Sequence, residues 1–321
     1  MEKMTVLNSL ELKKRFVKDN NLPITVFHNP YFTERLEAID WLFGCVKKWE
    51  LFCEELATFA NEQDYFEHYN AVKDAAIDHI KASESFNIFS NENWFVNKSK
   101  SEYPKHNLYS LDNCYKPFIS IDMKKANFTA LSTYRPEIFD NADTWEQFIG
   151  QYTELKHIAN SKYIRQVIMG ACNPKRQIQL IEYYMRALLD WIKNQVPGVE
   201  VFSMTVDEII LCHPYADENN SNMHQQLADI KSAIARHVVG RMVKMEEFYL
   251  EPLGNYGYEK INLYNPDDIT FKCVDAEQFH QHSKIYKGQE ITENDLVFYH
   301  NGILARFLEP IPNYLNPIAS S

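Results

Sequence analysis

Phe118-Ile119-Ser120-Ile121-Asp122 alternates aromatic or β-branched residues with others and ends on a carboxylate. Period-two patterning of that kind predicts a strand. Val199 to Thr205 and Ile209 to Cys212 read as two more strands, joined by a turn at Val206-Asp207-Glu208, and Met242 to Leu250 reads as another. Helices fall between them. Asp143-x-x-Glu146 has the form of a capping box and predicts a helix to about Asn160. Asn173-Pro174 supplies an N-cap and a proline at the first helical position, opening a long helix to about Asn194 that Val196-Pro197-Gly198 stops. Asn220 to Val239 reads as helix again. The order β, α, α, β-turn-β, α, β predicts an α+β fold, an antiparallel sheet with helices on one face.

Upstream the chain reads helical. Thr33 caps one helix in which Leu36, Ile39, Leu42, Val46, Trp49, Phe52 and Leu56 recur at three- and four-residue steps as far as Phe59. A second starts near Asp64, with Phe66, Tyr69, Val72, Ala76 and Ile80 on one face. Phe86 to Pro117 is rich in Asn, Ser and Lys and predicts an irregular lobe boundary. Near the other end, Leu296 to His300, Asn301-Gly302 and Ile303 to Leu308 predict a hairpin, because Asn-Gly supplies the two positive-φ residues of a type I′ turn. The expected organisation is a helical N-terminal region over 1–117, a sheet domain over 118–251 and a small β-rich lobe over 252–321.

Composition narrows the class. Of 321 residues, 45% are apolar and 24% charged, as in globular proteins, and 33 Lys+Arg against 44 Asp+Glu leave a net charge of −11. Only 9 glycines occur, and neither G-x-G-x-x-G nor G-x-x-x-x-G-K-[ST] is present, which disfavours a dinucleotide fold or a P-loop. The six cysteines never approach C-x-x-C spacing, and Met1 to Lys14 is polar and charged, unlike a signal peptide. No apolar run reaches the roughly 18 residues of a membrane span. These features predict a cytoplasmic protein with reduced thiols and no membrane partner.

Asp122 closes the first strand, and Asp207 and Glu208 occupy the turn between two others. If those strands are sheet neighbours, the carboxylates converge at one edge and repel unless something positive neutralises them. Hard divalent cations do so: Mg²⁺ takes a few carboxylate oxygens together with phosphate oxygens. Two such ions roughly 4 Å apart activate an attacking hydroxyl and stabilise a leaving oxygen. The plain alternative is that an Asp after a strand and an Asp-Glu pair in a turn are ordinary turn chemistry.

The order of these motifs resembles the palm domain of template-directed nucleic-acid polymerases, reverse transcriptases and RNA-dependent RNA polymerases most of all, over about Phe118 to Glu251. In that family a first motif places an Asp at a strand end, a small residue four positions on and then a residue beside the incoming sugar. Asp122, Ala126, Asn127 and Phe128 fit that layout. A second motif is a Gly-containing loop running into a long helix, which Gln166 through Gly170, Cys172 and Asn173 to Pro174 resembles. A third is a hairpin with acids at its turn, matched by Asp207-Glu208, whose Asp-Glu order is similar to family A DNA polymerases. Reverse transcriptases usually carry an aromatic where Asn127 stands, so dNTP against NTP stays open.

The resemblance implies nucleotidyl transfer with Mg²⁺ or Mn²⁺ on Asp122 and Asp207, and Glu208 as a third or outer acid. It implies nucleoside triphosphates as substrates and a DNA or RNA primer-template as partner. The N-terminal region would be fingers-like and the C-terminal lobe thumb-like or accessory. Gly170 to Pro174 would lie by the nascent base pair, with Lys162 and Arg165 as nucleotide-binding charges before that loop; Lys175 and Arg176, at a helix N-terminus that attracts phosphate, would meet a triphosphate or template backbone. Lys260 stands where palms often carry a Lys near pyrophosphate. Lys98, Lys100 and Lys105 form a small basic run, and Arg236, Arg241 and Lys244 are candidates for a primer or template groove; a solvated surface is the alternative for each.

Two further functions stay open: a two-metal nuclease, in which water replaces the primer hydroxyl, and a non-enzymatic binding or assembly protein with a protein partner. Cys273, His280, His282 and His300 are candidate zinc ligands whose spacing fits no structural zinc pattern well. Cys172 would need a neighbouring base to act as a nucleophile.

Overall fold

A computed structural model describes residues 9–92, 103–217 and 222–312. Five helices lead: α1 (Leu10–Asn20), α2 (Tyr31–Phe43), α3 (Cys45–Leu56), α4 (Glu62–Ala82) and α5 (Glu84–Asn91). Then come β1 (Phe118–Met123), α6 (Ala126–Tyr134), α7 (Trp145–Ile149), α8 (Lys156–Asn160), α9 (Lys162–Gly170) and α10 (Pro174–Gln195). The chain continues through β2 (Val201–Met204), β3 (Glu208–Cys212), α11 (Met223–Arg236), β4 (Val243–Pro252), β5 (Tyr258–Asn262), β6 (Ile269–Lys272) and α12 (Phe279–Tyr286). It closes with the hairpin β7 (Val297–His300) and β8 (Ile303–Arg306). No described helix is long and apolar enough to cross a membrane.

β1 to β6 form one antiparallel sheet in the order β2-β3-β1-β4-β5-β6. From β1 to β4 this is the split β-α-β plan, in which the first strand takes the centre and the hairpin β2–β3 lies to one side. The α+β class is as expected. The pleat sorts the faces. Ile119, Ile121 and Met123 of β1 and Ile209 and Leu211 of β3 are buried in the same core as Leu180, Leu188 and Ile192 of α10 and Ile230 of α11. Each such side chain contributes roughly 1.5–3 kcal/mol by leaving water. Phe118, Ile210, Phe248 and Leu250 point to the other face, where Leu108 joins them in a smaller cluster with Tyr109 and Cys114 packed against it. The segment carrying Leu108 also closes the sheet edge, through a Lys105–Ser203 bridge and a bond from Met204 N–H to the Pro104 carbonyl (3.0 Å).

Several expectations change. The helix expected through Thr33 to Phe59 breaks at Gly44, whose φ of 55° separates α2 from α3. The helix expected from Asp143 to Asn160 is two, α7 and α8. Thr144 is its N-cap, accepting from Gln147 N–H (3.1 Å), while the Gln147 side chain answers Asp143 N–H (2.9 Å). Glu146 is thereby released to bind Lys125 (2.6 Å). Phe86 to Asn91, expected irregular, lies in α5, with Phe86 and Phe89 buried. Beyond residue 251, β5 and β6 continue the central sheet, so a boundary there falls inside continuous hydrogen bonding. The Asn301-Gly302 hairpin has φ of 49° and 80° at its tip, as the type I′ turn requires.

A buried ion cluster joins α2 to α12 and to the segment leading into β7. Asp295, 0% exposed, lies 2.7 Å from Lys284 and 3.6 Å from Arg35. Arg35 of α2 donates onward to the carbonyls of Asn294 (2.9 Å) and Val297 (3.1 Å). Burial alone would raise the Asp295 carboxyl, but Lys284 and the Thr292 donors outweigh it and hold it low. Its stabilisation is therefore present at neutral pH and is lost as acidification protonates it. Asp295→Ala, which strands Arg35 and Lys284, is expected to cost about 3 kcal/mol in urea unfolding at pH 7. A loss under about 1 kcal/mol would show that the cluster does not hold α2 against α12.

Candidate active site

Asp122 is pinned by its backbone. It pairs with Glu208 on one side and Lys244 on the other, on the sheet face that the helices leave open. The next residue, Met123, donates its N–H to the Asp207 carbonyl (2.9 Å), tying the end of β1 to the β2–β3 turn. That turn is closed locally: Thr205 N–H donates to the Glu208 carbonyl (2.9 Å), and Glu208 N–H donates to Thr205 Oγ1 (3.2 Å). Asp207 is left exposed at the tip. Asp122, Asp207 and Glu208 thus share one end of the sheet.

Their charges interact. Burial, then Glu208, Asp207 and Glu246, push the Asp122 carboxyl from its ordinary 3.8 up to about 6, against the pull of Lys260. Ser120, on the same face, donates to Glu208 Oε1 (2.6 Å). Glu246 of β4 lies opposite Ser120 and is clasped by Lys244 and by Lys260 (2.7 Å). Burial opposes its ionisation, yet the hydrogen bonds from Lys244 and Lys260 hold it at about 2. Lys260 also lies 4.2 Å from the Phe248 ring centre. Lys272 of β6, on the same face, makes no ion pair among the described residues, and burial followed by Lys260 lowers its pKa. A cavity of about 160 Å³ opens beside it, lined by Lys260, Lys272, Glu246, Asn262, Asp268 and Thr270 among others.

Among the described residues no three His, Cys, Asp or Glu side chains are arranged to hold a metal ion. Glu208 is turned to Ser120 and Glu246 to its lysines, while Asp122 and Asp207 make no side-chain hydrogen bond among the described residues. Mg²⁺ commonly binds through one or two carboxylates, completing its shell with water and substrate phosphate oxygens. The donor set fits a cation that arrives with a phosphate ligand, and it does not form a closed protein cage.

The other expected site residues divide. Ala126 and Asn127 are half-buried in the first turn of α6, just after Lys125 (φ 48°) and four to five residues past Asp122 in the chain. Phe128 turns into the core, 3% exposed, against Phe139 (4.8 Å) and Trp145 (6.0 Å), so its side chain does not reach a ligand. Arg165 is half-buried, and burial lowers its pKa against the pull of Glu146. Gly170 ends α9 with open space around it, and Lys175 is exposed at the head of α10. Arg176 donates to the Phe89 carbonyl (3.0 Å), which turns it toward α5. Lys162 lines a separate cavity. Lys98 and Lys100 lie outside the described residues.

The zinc candidates do not assemble. His280 and His282 are buried within α12, His280 bonding the Asp295 carbonyl (2.9 Å), while Cys273 and His300 are exposed. Burial pushes the Cys172 thiol up to about 11, the wrong direction for a nucleophile. Ser120, Glu246 and Lys272 were not anticipated, because cross-strand register brings them to Asp122 and no local motif marks them. Compared with known protein families and with curated proteins, the chain matches none.

A carboxyl whose folded pKa lies above its unfolded value binds more protons when folded. Stability from Asp122 therefore falls as pH rises from about 4 to about 6. Asp122→Asn removes that penalty. It is expected to raise stability at pH 7.5 by about 1 kcal/mol after allowance for solvent screening, the gain shrinking to nothing below about pH 4. Paired thermal melts across pH check this; a gain independent of pH would refute it.

Proposed function

We propose that this chain is a metal-dependent nucleotidyltransferase, a template-directed polymerase that uses the sheet end carrying Asp122, Asp207 and Glu208. One observation carries the reading. Acids from a strand end and a hairpin turn share the open face of a split β-α-β sheet, with two lysines, Lys260 and Lys272, facing them from β5 and β6.

In this reading Asp122 and Asp207 hold Mg²⁺ or Mn²⁺, with Glu208 oriented by Ser120 as the outer acid. The ions, when bound, supply activation of the attacking hydroxyl and charge neutralisation at the leaving oxygen. The chain's own residues do the rest. Lys272, which has no ion pair among the described residues, neutralises phosphate oxygens at the adjoining cavity, while Lys260 stays shared with Glu246. Asn127, in the first turn of α6, presents an amide to the sugar. Arg165 and the head of α10 with Lys175 face the nucleotide and template side.

A second reading, a binding or assembly protein, is favoured by one observation: the lysine-clasped Glu246 and the Ser120-bound Glu208 leave no three-ligand metal set among the described residues.

Primer extension with Mg²⁺ or Mn²⁺, on DNA and RNA templates and with both nucleotide types, tests the proposal. Asp122→Ala and Asp207→Ala are each expected to lower extension about a thousandfold or more, and Lys272→Ala about tenfold. Degradation of the primer in place of extension would point to a two-metal nuclease. Inertness of the folded protein toward every substrate would leave the binding reading.

A further inference from the structure

Away from Asp122, a cavity of about 350 Å³ opens between α1, α3, α8 and α9, lined by Asp19, Asn20, Lys48, Lys156, His157 and Lys162 among others. Its charge departs from that of the chain. Lys48, Lys156 and Lys162 form no ion pair among the described residues, although acids outnumber bases overall, 44 to 33. The one carboxylate among the named lining residues is already spent. Asp19, whose side chain is 0% exposed, accepts from Tyr69 (2.8 Å) and Ser161 (2.7 Å) and pairs with His157 (2.8 Å). Glu55 beside it is likewise committed, to the N–H groups of Lys156 (2.7 Å) and His157 (3.1 Å).

Two more cations stand behind the lining residues. Arg15, one helical turn before Asp19, sits between the rings of Tyr69 (4.7 Å) and Tyr163 (4.9 Å), its Nε and Nη1 buried and without a hydrogen-bond partner among the described residues. Lys18 lies 5.4 Å from the Tyr163 ring centre. Lys48, Lys156, Lys162, Arg15 and Lys18 thus stand against Asp19 and Glu55, a formal excess of positive charge around the cavity, and its volume falls at the small end of ligand pockets.

We propose that this cavity is a phosphate-binding pocket, taking a phosphate group from a free nucleotide or from a polynucleotide backbone, with Lys156 and Lys162 as its ligands and Lys48, which donates to the Phe43 carbonyl (2.6 Å), at its rim. It shares no residue with the Asp122 end of the sheet and does not require catalysis there.

The test uses the full chain in EDTA, on an Asp122→Ala background, so that failure of the catalytic reading leaves it untouched. The probes are inorganic phosphate and AMP by calorimetry, and a short fluorescein-labelled single-stranded oligonucleotide by anisotropy. Lys156→Glu with Lys162→Glu is expected to weaken binding about tenfold or more. For the oligonucleotide it should flatten the slope of log K against log salt by about 1.4, two contacts at roughly 0.7 each. Lys156→Gln with Lys162→Gln should show the same direction if the charge-reversed protein fails to fold. The control, Lys81→Glu with Lys116→Glu, reverses two exposed lysines outside the cavity and should change binding less than twofold. Loss with AMP identifies a free nucleotide as the source, and loss with the oligonucleotide alone identifies the polymer; either supports the pocket. Unchanged binding, no binding of any probe by the unsubstituted pocket, or equal losses in pocket and control variants would overturn it.

Discussion

Everything at the candidate site depends on the register of β1. It is hydrogen-bonded along both edges, so neither edge is free to slide, and the pairing of Asp122 with Glu208 and Lys244 is set by that of Ile121 with Ile209 and Met245. Because the pleat repeats every two residues, a slip of one would drive Asp122 into the core and Ile121 out of it. The apolar burial of Ile119, Ile121 and Met123 is what forbids the slip. The acids are therefore held at the open end by hydrophobic patterning on the face they do not occupy.

A second set of interactions joins distant parts of the chain. Trp41 of α2 donates to Ser283 of α12 (2.7 Å), and its ring meets Tyr286 in a stack at 5.1 Å. Arg35 and Asp295 form a buried pair nearby. On the other side of the N-terminal helices, Asp19 gathers Tyr69, His157 and Ser161 from three separate elements. Around Asp19 and at Asp295 Oδ2 several donors meet the buried charge, the condition under which buried ions are tolerated, while Asp295 Oδ1 and Arg35 Nη1 face each other at 3.6 Å with no hydrogen bond among the described residues. The helical region and the sheet share one apolar core, which runs from Leu12 to Phe279.

How much of this could be read in advance varied with how local the cause was. β1, α10 and the β7–β8 hairpin were legible because their signals are short-range: alternation in Phe118 to Asp122, Asn173-Pro174 and Asn301-Gly302. The break at Gly44 was hidden because the apolar period continues across it. The α7 boundary was misplaced because Gln147, not Glu146, closes the cap. β5 and β6 lie in the stretch read as a separate β-rich lobe, and their place in the central sheet was hidden because Ile269 to Lys272 is four residues long and takes its identity from pairing with β5. At the site, Asp122, Asp207 and Glu208 were visible as acids at strand ends. Glu246 and Lys272 depend on which strand lies beside which, and Phe128 depends on how α6 is rotated against Phe139 and Trp145.

The continuation of the sheet through β6 has a mechanical meaning. Lys260 and Lys272 are joined to Asp122 by unbroken ladders through β4 and β5, so acids and lysines belong to one stiff body. Hinge motion between lobes cannot alter their spacing. Any opening and closing over this face must therefore come from elements that are not strands of the sheet.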